Sequence, residues 1–176
     1  MIELSVIRDL VAIFGVIAGF SYYVLTVRNA QRTRELTLRA QEQALDTRQA
    51  QLLMNLVNTV RSTDFRRHWH KLFRLEWNDY QDFQEQYEDD IETITAWTSV
   101  MRFYECVGVM VKNNLIDMSL IYSLLNNGTK MVWDRYEPLI RGDRERFQQY
   151  GTVWVNVEYL YNEVLRYEKQ HPELKT

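Results

Sequence analysis

The chain reads as an all-α protein made of a single N-terminal transmembrane helix, a helical stalk and a cytoplasmic multi-helix bundle. Three observations predict this. Residues 10–27, LVAIFGVIAGFSYYVLTV, carry no charged side chain, and Arg28, Arg32, Arg34 and Arg39 follow at once. Glycine (6) and proline (2) are scarce in 176 residues, so little interrupts long helices. Apolar residues then recur at helical spacing through most of the remaining chain.

The span comes first. At ~1.5 Å per residue, residues 10–27 cover about 27 Å, close to the roughly 30 Å of bilayer hydrocarbon. Residues 1–9 hold Glu3, Arg8 and Asp9, whereas arginines dominate the other flank. The positive-inside rule therefore predicts a single-pass protein of the cell inner membrane, with residues 1–9 outside and the C-terminal domain cytoplasmic. A cleaved signal peptide would carry its excess of positive charge before the apolar run and a small-x-small cleavage site after it, whereas here the arginines gather after the run and no such site follows. Ala12, Gly15 and Gly19 place small residues one helical turn apart, a face on which two transmembrane helices can approach closely. Tyr22 and Tyr23 suit the interfacial end of the span.

Residues 28–60 form the predicted juxtamembrane stalk, rich in helix formers and without Gly or Pro. Leu38, Leu45 and Leu52 repeat every seven residues, but the companion positions are Gln41, Arg48 and Asn55, so the coiled-coil seam is incomplete. A helix polar on nearly every side is marginal alone, which predicts packing against a second copy or another membrane protein.

Residues 61–170 are the predicted bundle, with 171–176 as a tail. A basic amphipathic helix opens it, carrying Arg66, Arg67, Lys71 and Arg74 beside Phe65, Trp69, Leu72 and Phe73, with its N-cap among residues 62–64. An acidic segment follows, with no Lys or Arg between Arg74 and Arg102. In it Tyr80, Phe83, Tyr87, Ile91 and Ile94 share one face. The two segments are expected to form a charge-complementary hairpin turning near Asn78, with docking of the basic helix on anionic lipid as the alternative. Residues 91–111 are the most apolar stretch after the span and predict the central helix, capped at Asp89 or Asp90 and ending at Asn113 and Asn114.

Glu105 lies there among Phe103, Tyr104, Cys106 and Val107, so an arginine is its expected partner. Arg102, Glu105, Glu137, Arg141 and Arg144 make up a candidate buried polar network. The lone Cys106 reads as a small buried hydrophobe. Further on, 118–125 predicts a helix stopped by Gly128 in a left-handed C-cap, with Thr129 starting another helix and Pro138 a further turn. Arg141, Asp143, Arg144, Glu145 and Arg146 read as a charged surface cluster. The last helix, 152–170, presents a broad apolar face through Val153, Val157, Leu160, Val164 and Tyr167.

No catalytic residue, metal site or cofactor is predicted. His68 and His70 are two apart and diverge on a helix, and Glu168 with His171 forms only one Glu-x-x-His pair where a di-metal site needs more. Phosphate-binding loops, nucleophile elbows and paired-cysteine motifs are lacking. A net charge of −3, more acidic beyond the juxtamembrane region, speaks against nucleic acid as a partner. The expected function is a membrane-anchored interaction or scaffold protein that self-associates, with the lipid bilayer and either a homo-oligomer or another membrane protein as partners. An oligomeric pore or gate is the alternative, and a helical enzyme using Glu105 and nearby acids is the second. The pieces Phe103-Tyr104-Glu105 with Gly108, then Leu115-Ile116-Asp117, Trp133, Pro138 and Arg144, resemble an uncharacterised family of small bacterial proteins. In that family an N-terminal membrane helix precedes a helical cytoplasmic domain. The resemblance implies the architecture and brings no activity or site residues with it.

Overall fold

Helix α1 runs unbroken over Leu4–Arg61 in the computed structural model, which describes residues 4–150 and 153–174. Glu3, Thr152 and the last two tail residues lie outside the described residues. The chain divides into two units, Met1–Arg48 and Gln49–Thr176.

In the first unit, every side chain from 7 to 48 is exposed. The apolar window near the N-terminus has 0% of its residues buried, and by length and composition this helix could cross a membrane. The stalk runs straight on from the apolar run as one helix, because residues 28–60 offer nothing that breaks it. A Cβ added at Gly15 or Gly19 would meet nothing within 4 Å.

The second unit contains the last turns of α1, then α2 (Thr63–Leu72), α3 (Tyr80–Tyr87), α4 (Ile91–Lys112), α5 (Met118–Arg146) and α6 (Val155–Gln170). No strand occurs among the described residues. Polar caps set the starts: Ser62, Asp79, Asp90 and Asp117 each accept a backbone N–H from the first turn they precede. Asn114 closes α4 with φ 53°, the left-handed position that asparagine tolerates. Helix α4 is the centre, packed on α2 and on α6, while α6 also packs on α5. Ala96, Val100, Met101, Val107 and Gly108 of α4 are buried, and Leu56 of α1 joins the same core.

Several expectations are corrected here. The basic helix α2 packs on α4 rather than pairing with the acidic α3, because its Phe65–Trp69 face needs apolar surface that the eight-residue α3, burying only Phe83, cannot supply. Lys71 Nζ reaches Asp90 and Glu92 at 3.2 Å each, Arg67 pairs with Asp64 of its own helix at 3.8 Å, and Arg66 and Arg74 are exposed. Asp90 starts a new helix, so the face of α3 is not carried onward and Ile91 is 81% exposed. Cys106 is exposed, since Tyr104, Val107 and Gly108 take the inward side of α4.

Helix α5 continues through Gly128, Thr129 and Pro138 where two breaks were expected. Its buried stripe runs Ile121, Leu125, Thr129, Val132, Trp133, Tyr136, Leu139 and Ile140, and that continuous burial outweighs the local cost of one glycine and one lost N–H.

Candidate functional site around Asp143

Asp143 stands three residues after Ile140 and four after Leu139, so it continues the buried stripe of α5. It is 7% exposed, which corrects its expected place in a charged surface cluster. Its carboxylate accepts the indole N–H of Trp97 at 3.2 Å and of Trp154 at 2.9 Å, and the hydroxyl of Tyr80 at 3.4 Å. Among the described residues no cation lies within ion-pair distance of it, and Arg146 is engaged with Glu88 and Gln84. Burial pushes the Asp143 pKa up, against the three donors, which favour the charged form. Indole N–H groups can only donate, so the site requires an acceptor at this position.

Neighbouring backbone is shaped around this carboxylate. Gly142 is buried where a Cβ would collide with the Tyr80 ring, so glycine lets that ring lie against α5. Trp154 has φ 57° and ψ 28°, a left-handed conformation costing on the order of 1 kcal/mol or more for a bulky residue. Its indole is tied to Asp143, and its carbonyl accepts from Arg144 Nη2 at 3.1 Å. An aromatic cavity of about 310 Å³ adjoins the site, bounded by Phe83, Trp97, Asp143, Phe147 and Trp154, with Arg146 beside it. Such an arrangement can hold a proton or receive a hydrogen-bond donor against aromatic faces.

Helix α6 begins beside Trp154, which supplies no side-chain cap. Glu105 fills that role from α4. Its Oε2 accepts the backbone N–H of Asn156 and of Val157, each at 3.0 Å, and its Oε1 accepts Asn156 Nδ2 at 2.7 Å. Gly108, one turn further along α4, has no room for a Cβ against the Asn156 carbonyl, so the two helices meet backbone to backbone. A helix start packed that closely must find acceptors for its orphan N–H groups, and Glu105 provides them.

The expected network therefore does not assemble as one cluster. Arg102 is exposed, and Arg141 pairs with Glu137 one turn away at 2.6 Å. Arg144 does reach the start of α6, donating to the Val153 carbonyl at 2.9 Å and pairing with Glu158 at 2.6 Å. Glu105 and Arg144 thus serve the same helix start through different atoms.

Asp143 was the missed residue. Its signal was the spacing from Tyr136 through Leu139 and Ile140, which a run of charges on both sides obscured.

The histidines fall apart from this site. Glu168 is held by Lys130 at 2.5 Å and Tyr122 at 3.2 Å, whereas His171 stacks on Tyr167 at 4.3 Å and contacts Glu173 at 3.1 Å. Among the described residues no three His, Cys, Asp or Glu side chains group closely enough to hold a metal ion.

A family model described as a domain of unknown function, DUF4760, matches residues 10–164. The chain belongs to this family. The DUF4760 match begins at the first residue of the apolar run and takes in both Glu105 and Asp143. No curated protein and no solved structure matches the chain significantly.

Proposed function

We propose that this DUF4760 protein is a membrane-anchored interaction or scaffold protein that self-associates through α1. One observation carries the reading: the apolar side chains of α1 between residues 7 and 48 are all exposed. Side chains such as Leu10, Phe14, Ile17 and Phe20 are each about half exposed or more, and Leu38 and Leu45 are 60% and 59% exposed. Leaving the apolar run of α1 in water would cost on the order of 20 kcal/mol, more than a domain's whole stability, so a bilayer is the fitting surroundings. Leu38 and Leu45 lie beyond a bilayer's reach and call for a protein neighbour. A second copy supplies the same stripe in register, and Gly15 and Gly19, open on every side, suit close approach within lipid.

On this reading the anchor sits in the inner membrane with residues 1–9 outside and the bundle in the cytoplasm, as the arginines after the span favour. Another membrane protein is the competing occupant of the stripe. The pore alternative asks for a polar line along the span, yet the Thr26 hydroxyl is spent on the Tyr22 carbonyl at 2.8 Å. The enzyme alternative leans on Glu105, whose oxygens are already occupied in capping α6.

The experiment is the mass of the full-length protein extracted into native lipid discs, combined with disulfide cross-linking of Leu45→Cys in a Cys106→Ser background. A discrete homo-oligomer with cross-linking at position 45 is the expected result. A monomer bound to a different membrane protein transfers the stripe to that partner, and a lone monomer overturns the reading.

A further inference from the structure

A second cavity, about 250 Å³, lies between α2, α4 and α5. Phe65 and Trp69 line it from α2, and Leu124 and Leu125 from α5. Within it Tyr104 of α4 meets Gly128 of α5: a Cβ at Gly128 would stand 2.5 Å from Tyr104 Oη and 3.7 Å from the Trp69 ring. Tyr104 is 2% exposed, yet its hydroxyl makes no hydrogen bond with any described residue, and burial alone pushes its pKa up. The side chain is otherwise enclosed, and its hydroxyl, which opens on the cavity, is free to donate to an acceptor placed there. Arg66 borders the same cavity, exposed and without an ion pair among the described residues, although Arg67 and Lys71 on the same helix are both paired.

We propose that this cavity binds a small apolar carboxylate, its ring or short chain between Trp69, Phe65 and Leu124, with its oxygens served by Tyr104 Oη and Arg66. Size limits the body. A cavity of ~150 Å³ accepts benzene, so this one admits a ring with a short side chain or a chain of comparable bulk. Charge selects the head group. One guanidinium and one hydroxyl suffice for a carboxylate, whereas a phosphoryl dianion would want a second cation or a nest of backbone N–H groups, and none lines the cavity. The inference rests on the cavity and is independent of the membrane and scaffold reading.

The test uses the full chain in lipid nanodiscs with benzoate, indole-3-acetate and octanoate as probes, and benzyl alcohol and 1-octanol as uncharged counterparts, followed by saturation-transfer NMR and calorimetry. Saturable binding of at least one carboxylate is expected. Tyr104→Phe, which removes a hydroxyl and no protein hydrogen bond, should weaken it about tenfold. Arg66→Gln should weaken the carboxylate about tenfold and leave the alcohols within about twofold. Leu124→Trp should abolish binding by filling the space, which separates the cavity from partitioning into disc lipid. An absence of saturable carboxylate binding, or binding that survives Leu124→Trp, or binding indifferent to both Tyr104→Phe and Arg66→Gln in variants that melt like the parent, overturns the proposal.

Discussion

At the residue scale, two carboxylates pull the pH response of the fold in opposite directions. Asp90 accepts from Thr93 and from Lys71, and the Thr93 hydroxyl first among these holds its pKa at about 2 against an ordinary 3.8. Its contribution is present above the unfolded value and is lost as pH falls from 3.8 through about 2. Asp143 is raised by burial, so the native state holds its proton more tightly than the unfolded chain, and stability declines as pH rises from 3.8 through the raised value. Thermal melts of the parent, Asp90→Asn and Asp143→Leu from about pH 7 to about pH 2 should separate them. Asp90→Asn should lessen the acid-side loss. Asp143→Leu should remove the opposing slope and, by orphaning two indole N–H groups and a phenol, cost on the order of 3 kcal/mol near neutrality. Glu105→Ala should cost about 1–2 kcal/mol as a lost helix cap, read as faster amide exchange at Asn156 and Val157, with Glu105→Gln intermediate. Both roles were only half legible. The Glu105 side chain was marked by its apolar neighbours, but its partner is the backbone of a helix fifty residues away, which no side-chain pattern announces.

At the element scale, glycine decides how closely helices meet. Gly108, Gly128 and Gly142 stand where a Cβ would strike Asn156, Tyr104 and Tyr80 respectively. Gly108→Ala should therefore destabilise by about 3 kcal/mol, seen in chemical denaturation, because its neighbour is backbone and cannot rotate away. Gly15→Ala should leave the same transition unchanged, since that position faces open space. Gly128 also shows why α5 was expected in pieces. Asn-Asn-Gly reads locally as a helix stop, but the buried stripe through Leu125, Thr129 and Val132 keeps its phase across it, and tertiary burial outweighs local propensity. Along α1, Leu38→Asp with Leu45→Asp should weaken self-association in native lipid discs by at least about tenfold while leaving the melting of the folded unit within error.

At the scale of the whole molecule, the last turns of α1 belong to the second unit and give its core Leu52, Leu53, Leu56 and Val60. A chain of residues 49–176 should therefore unfold cooperatively without the apolar run, checked by calorimetry against the full-length protein in nanodiscs. The sequence by itself determined the helical class, the apolar run and its flanking arginines, the starts of α2, α4 and α5, and the central position of α4. These follow from periodicity, caps and composition, which act within a few residues along the chain. Only the tertiary structure decided that α2 lies on α4, that Asp143 is buried between two tryptophans, that Glu105 caps α6 and that Tyr104 is left without a partner. Each depends on which surfaces meet across dozens of residues, where the burial of apolar area and the pairing of enclosed polar groups are decided by the assembly as a whole.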